Sequence, residues 1–410
     1  MKLVFFIKSF NDVDHFTPLL DKLLYQKKHN IYVFCTMQSF RFNENHNIRY
    51  LSKKYDLVVK DLFNVNEASF RFNLYSLILK KIETSNFLNK YLKYWHPYRA
   101  KILVYLYRTM ASEYINQVFD LNPDALIFDW NSAFVYPQRA FVEKTKKLNI
   151  PTYCLPHGIL LYTNKYPTKK KRLTSADSDL FYDYYLFYGE SEQYLLDRGV
   201  PKKNIYLIGS MRYSREWIET YKTEVIDDIQ PLSDIGKDNL KVVFFLSQNI
   251  YNVDETELME TFKAIQKLEN VTVILKPHTR GMSTDFLNRL GFIIDENTSS
   301  VILSDWCDVA ILYGSSIGLQ ILSDNKTLIY PNYIDTNSTM FDKYNACIKV
   351  ENVDELISVI KSIANGTHIP SYNSSNVNEL FSSIVYANKS ERSIISDCIK
   401  FIEQHQNNHS

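Results

Sequence analysis

Short apolar runs recur along this sequence, each followed by a segment with helical periodicity, and that alternation constrains the fold more than any other feature. Runs of this kind read as strands buried on both faces, which belong to parallel sheets closed by helical crossovers. Leu3–Ile7, Ile31–Cys35 and Tyr55–Val59 come first, with a helix-like segment over Phe16–Leu24. Residues from about 67 to 120 read as mostly helical, after which strands resume at Ala125–Asp129, Pro151–Leu155, Tyr184–Tyr188 and Tyr206–Ser210. A polar, acidic stretch from about 215 to 240 carries no strand signal. The series then restarts at Leu240–Leu246, with a helix over Glu255–Leu268 and strands at Val271–Leu275, Phe292–Asp295, Val309–Leu312 and Thr327–Tyr330. The tail from about 352 is helical.

Two such series, in a chain of 410 residues, exceed one hydrophobic core. The expected fold is α/β, with two doubly wound, Rossmann-like domains facing across a cleft. The first spans 1–225 and includes the helical insertion; the second spans 226–385; a helix and tail occupy 386–410. In open sheets of this kind ligands bind outside the carboxyl ends of the strands, near the point where strand order reverses. Chemistry is therefore sought at strand ends.

Composition narrows the function classes. Hydrophobic residues at 45% and charged residues at 23% are ordinary for a globular chain. A formal charge of +1 lacks the basic excess of a nucleic-acid binder. The five cysteines (Cys35, Cys154, Cys307, Cys347, Cys398) form no C-x-x-C pair, which suits a reducing compartment and gives no zinc signal. The apolar run at the N-terminus is too short for a signal peptide, and no stretch reaches the roughly 20 apolar residues of a membrane span. The expectation is a cytoplasmic protein, with peripheral contact at the inner face of the cytoplasmic membrane left open.

Four strand ends carry candidate chemistry. Val271–Leu275 runs into Lys276, Pro277, His278 and Arg280, so a cation, an imidazole and a guanidinium gather where a phosphate could be neutralised. Val309–Leu312 runs into Tyr313-Gly314-Ser315-Ser316 and a helix that includes Gln320; hydroxyls and free N–H groups there would receive an anion. These residues make the donor-binding set, against the plainer alternatives of a solvated basic loop and a serine N-cap. In the first half, Asp129 ends one strand and His157 follows the next, about one βα unit later. A carboxylate and an imidazole brought to one sheet edge could serve as base, nucleophile or leaving-group stabiliser in group transfer. Lys169, Lys170, Lys171 and Arg172 form a basic loop that could meet an anionic acceptor or leaflet, although a solvated charge run is the simpler reading.

Taken in order, the strand-Pro-His-Gly at Leu155–Gly158, the Lys-x-His at Lys276–His278 and the late Gly314-Ser315-Ser316 resemble the bacterial surface-polysaccharide transferases of the GT-B fold. The stretches Tyr188–Glu192 and Ile208–Tyr213 are similar to the family segment that joins its two domains, and the resemblance runs from about residue 120 to 365. Within that fold, Ser315-Ser316 is similar to the CMP-binding serines of sialyltransferases, although Thr279 stands where their His-Pro motif has proline. His157-Gly158 and Lys276-x-His278 resemble CDP-glycerol glycerophosphotransferases. Asp129 with His157 resembles some Kdo transferases.

That resemblance implies a glycosyltransferase that moves a CMP-activated 2-keto acid sugar, Kdo or sialic-acid-like, onto a capsule, lipopolysaccharide or other surface glycan. A CDP-polyol phosphotransferase, or a UDP-sugar glycosyltransferase of the same fold, is the alternative. Asp129 would be nucleophile in a retaining reaction or base in an inverting one, with His157 orienting or relaying a proton. No cofactor and no metal is expected, since the basic and hydroxyl groups of the donor-binding set can offset the phosphate charge. The expected partners are the nucleotide-activated sugar and a saccharide or lipid-linked acceptor. A non-catalytic nucleotide-sugar sensor would share the fold, and an epimerase would want several carboxylates that the linear sequence does not display.

Overall fold

The computed structural model describes residues 1–37, 40–64, 69–84, 96–130, 136–168, 180–226, 232, 235–247, 251–278, 287, 290–367, 372–390 and 394–406. The chain divides into two compact units. One comprises Met1–Gly158, Ser175–Trp217 and Tyr386–Ser410; the other comprises Ile159–Thr174 and Ile218–Val385. The C-terminal helix Ile394–Gln406 therefore belongs with the first sheet, and a short piece that follows His157 in sequence belongs with the second.

The first unit is a parallel sheet of β1 (Lys2–Ile7), β2 (Asn30–Cys35), β3 (Val59–Asp61), β4 (Ala125–Asp129), β5 (Thr152–Leu155), β6 (Tyr184–Phe187) and β7 (Ile205–Leu207), in the order β3-β2-β1-β4-β5-β6-β7. Strand order reverses at β1, which pairs with β2 on one side and β4 on the other. Its residues Leu3 to Ile7 are buried without alternation, as a strand covered on both faces requires. Phe6 stacks on Phe128 of β4 at 4.7 Å and meets Phe141 of the helix Gln138–Leu148 at 4.6 Å with the rings tilted by 40°, so much of the aromatic content is core packing.

One expected strand is displaced. Tyr55 ends the helix His46–Tyr55 instead of opening a strand, because Asn45 caps that helix at Ile48 N and Asp56 turns left-handed (φ 56°) to end it. The strand begins only at Val59. The helical stretch expected over 67–120 contains the helices Phe70–Thr84 and His96–Phe119.

The second unit repeats the plan with β8 (Leu240–Phe245), β9 (Val271–Lys276), β10 (Ile293–Ile294), β11 (Val309–Leu312), β12 (Thr327–Pro331) and β13 (Ile348–Val350), in the order β10-β9-β8-β11-β12-β13. Here the reversal lies at β8, flanked by β9 and β11. The helix after β8 ends at Ile265, three residues short of the expected Leu268. All five cysteines are buried and free.

Candidate functional site

In the first unit the switch point assembles a charged cluster. Beyond β1 come Lys8 and Ser9, and Ser9 caps the helix Phe10–Gln26, whose third residue is Asp12. The Asp12 carboxylate accepts from Lys8 N (2.8 Å), Ser9 N (3.0 Å) and Ser9 Oγ (2.7 Å), which ties the strand end to the helix start. At the end of β4, Asp129 is 1% exposed and its Oδ2 pairs with Lys8 Nζ at 2.8 Å. Beyond β5, His157 places Nδ1 3.3 Å from the same oxygen and 3.8 Å from Asp12 Oδ1. Three neighbouring strands, β1, β4 and β5, thus deliver four side chains to one spot.

Electrostatics divides the two carboxylates. Burial and the negative charge of Asp129 raise the pKa of Asp12 to about 7, against the attraction of Lys8. Burial also opposes ionisation of Asp129, but Lys8 and the bonded His157 outweigh it and hold its carboxyl below the usual range. Asp129 is therefore a fixed anion, and His157, with a side chain one-third exposed, is the most exposed member of the cluster, ahead of Lys8. No described residue occupies His157 Nε2. Ligand atoms of Asp12, Asp129 and His157 all lie within 4.8 Å of one another, a spacing that would suit a divalent ion, although the Lys8 ammonium already supplies positive charge to Asp129.

A second buried pair follows on the same helix. Arg212, 3% exposed, donates through Nε to Asp14 Oδ2 at 2.8 Å. Burial opposes the Asp14 charge, and Arg212 overcomes it to lower that pKa; burial also lowers His15 to about 3, so its imidazole is neutral. Arg212 comes from the Ile208–Tyr213 stretch that carried part of the family resemblance.

In the second unit the corresponding position is the turn after β11. Gly314 adopts φ +60°, and a side chain there would collide with Tyr162 Oη and Ser247 Oγ. Ser247, fully buried beyond β8, donates to Gly314 O at 3.3 Å. Tyr162 in turn donates to Asp335 Oδ2 (3.1 Å), which also accepts from Tyr330 (2.7 Å), so the approach to the turn is braced from behind. Ser315 and Ser316 are half-buried at the start of the helix Ile317–Ser323, and Ser315 Oγ accepts from Ile317 N.

Other expected donor residues are placed differently. Lys276 is 5% exposed and donates to Glu296 O at 3.0 Å, and burial lowers its pKa. Its ammonium is an internal group at the end of β9 rather than a cation on an open loop. His278 is half-buried. Gln320 is fully buried and its amide donates to Asp324 at 3.1 Å and 3.3 Å, which holds the helix instead of reaching past the turn. Arg280 lies outside the described residues, as do Lys169, Lys170, Lys171 and Arg172.

Linear reading missed Lys8, Asp12 and Ser247. Ser9-x-x-Asp12 after an apolar run reads as a helix start, and its sequence signal is the same whether the carboxylate only caps or also faces a histidine. The sheet order made the difference, because β1 lies beside β4.

The sequence matches no family model and no curated protein. Solved structures of similar fold include the UDP-GlcNAc 2-epimerase of Neisseria meningitidis bound to UDP-GlcNAc, at 10% identity and a TM-score of 0.58, covering 98% of this chain and 100% of that one. MnaA of S. aureus with UDP aligns at 12% identity and a TM-score of 0.57, covering 99% and 97%. The glycotransferase of kitacinnamycin aligns at 10% identity and 0.52, covering 98% of both chains. At such identities the likeness concerns the fold: this chain has the GT-B-like fold of nucleotide-sugar enzymes, with two Rossmann-like units.

Proposed function

We propose that this protein is a glycosyltransferase that uses a UDP-type nucleotide sugar, with His157 as the proton-transfer group. The observation that carries the proposal is the Lys8–Asp129–His157 chain at the switch point of the first sheet. Asp129 Oδ2 holds Nδ1 of His157, which fixes the ring and leaves Nε2 for an acceptor hydroxyl. In the reaction, Nε2 takes the hydroxyl proton, the acceptor oxygen bonds to the anomeric carbon, and the bond from that carbon to the phosphate oxygen breaks to release the nucleotide. Asp129 then acts as a positioning residue rather than a nucleophile, since it is buried and engaged by both Lys8 and His157.

For the donor phosphates we assign the hydroxyls of Ser315 and Ser316 and the N–H groups of their turn, with His278 beyond β9, on the other side of β8. UDP is placed first because solved structures of this fold were determined with UDP or UDP-GlcNAc. A CMP-linked 2-keto acid sugar such as Kdo or sialic acid is the narrower donor implied by the Ser-Ser and Lys-x-His resemblance, and it is the competing arm of the test.

One observation favours a second reading. Asp12 and Asp129 both lie near His157, which supplies the carboxylates that an epimerase would use to exchange a proton at a sugar carbon. Incubating the protein with UDP-GlcNAc in deuterated water separates the two. Transfer or hydrolysis that releases UDP, lost by at least 100-fold in His157→Ala, is the expected result. An epimer carrying solvent deuterium without UDP release would replace the transferase reading, and full turnover in His157→Ala would remove the histidine from it.

A further inference from the structure

We propose that the outward face of the helices Phe70–Thr84 and His96–Phe119, in the first unit, docks on the surface of an anionic lipid bilayer. The first of these helices is apolar on two sides. Phe72 and Leu79 are buried against its own unit, while Phe70, Leu74, Leu77 and Ile78 lie along the opposite side and are exposed, Phe70 by 81% and Leu77 by 61%. Their spacing of i, i+4, i+7 and i+8 makes one continuous stripe. An apolar stripe on a second side of a helix is ordinarily covered, and nothing among the described residues covers this one. The second helix repeats the arrangement: Tyr107, Met110, Tyr114 and Val118 are buried, whereas Ile102, Val104 and Tyr105 are exposed.

Charge identifies the partner. Among the described side chains the two helices carry Arg71, Lys80, Lys81, Lys101 and Arg108 against Glu113, an excess of four in a chain whose whole formal charge is +1. Glu113 is engaged locally, accepting from Ser69 N and Oγ at 2.9 Å and 2.7 Å. Arg71 and Lys81 are exposed along the apolar stripe, and Arg108 joins Lys101, Val104, Tyr105 and Thr109 in lining a hollow of about 580 Å³. Cations interleaved with aliphatic side chains suit a surface that offers phosphate above and hydrocarbon beneath. A nucleic acid would use the cations but leave Leu74, Leu77, Ile78 and Val104 in water. A second copy, meeting face to face, would bring two positive patches together. No described helix is long and apolar enough to cross a membrane, so the contact is one of lying on the surface.

The experiment is co-sedimentation of the full chain with vesicles of phosphatidylcholine alone, or of phosphatidylcholine and phosphatidylglycerol in a ratio of about three to one. Binding to the mixed vesicles, weakened by 0.5 M salt, is expected, with a loss of about fivefold for each of Lys81→Glu and Arg108→Glu. Leu77→Asp, at an exposed position, should abolish binding with an unchanged melting temperature; if it fails to fold, Tyr105→Ser gives the same reading. Binding to neither vesicle overturns the proposal. So does displacement of the protein by single-stranded DNA without vesicle binding, or a dimer in sedimentation velocity that Leu77→Asp dissociates while vesicles bind neither form.

Discussion

Asp12 combines two demands that a single carboxylate rarely meets together. It closes the turn between β1 and the following helix through three hydrogen bonds, and it sits within 3.8 Å of His157 beside a second buried carboxylate. Its folded pKa, raised to about 7, lies above its unfolded value of 3.8. The stability it contributes is therefore fully present below pH 3.8 and is lost as pH rises through about 7. Asp12→Asn should flatten the fall in melting temperature between about pH 4 and about pH 7, measured by calorimetry, even if the variant starts lower because an amide cannot accept from all three donors. A slope unchanged from wild type would show that Asp12 is ionised throughout. At this scale the sequence revealed Asp129 and His157, since each stands at the end of a recognisable strand. It concealed Lys8 and Asp12, which look like a loop and a cap until β1 is set beside β4. Gln320 misleads in the other direction: a polar residue one turn after Ser315-Ser316 suggests a ligand contact, yet burial gives its amide to Asp324.

Elements were more legible than side chains, because strand and helix periods are local properties. The strands β8 to β12 of the second unit fall within a residue or two of their apolar runs, whereas the short β13 was not anticipated; in the first unit Tyr55–Val59 failed where a left-handed Asp56 moved a boundary. The turn after β11 is an element whose shape depends on one residue. Gly314→Ala forces a left-handed Ala, costing about 1–2 kcal/mol, and drives a methyl against Tyr162 and Ser247. The expected outcome is a lower melting temperature together with a UDP affinity weakened at least tenfold in titration calorimetry. Unaltered UDP binding in a folded Gly314→Ala would move the phosphate site elsewhere.

For the whole molecule, the least legible feature is the return of the chain end. Phe401 packs on Tyr206 at 4.7 Å, Tyr153 Oη donates to Ile402 O, and His29 meets Glu403 at 3.0 Å, contacts that span most of the sequence and leave no local trace. Truncation after Val385 removes the buried Ile394, Ile395, Cys398, Ile399 and Ile402, each worth roughly 1.5–3 kcal/mol of burial for the aliphatic ones. The truncated chain should lose the cooperative unfolding of its first unit in a thermal scan while hydrogen exchange in β8, β9 and β11 stays protected. The fold, two doubly wound units with their switch points at β1 and β8, is compatible with the proposed nucleotide-sugar chemistry but does not choose the nucleotide. Melting curves of the intact protein with UDP, CDP and CMP make that choice most directly. UDP should raise the melting temperature, by an amount that approaches about 2.7 kcal/mol of stabilisation at a hundred times its Kd, and CMP at the same concentration should not. Stabilisation by CMP without UDP, or by no pyrimidine nucleotide at all, would contradict it.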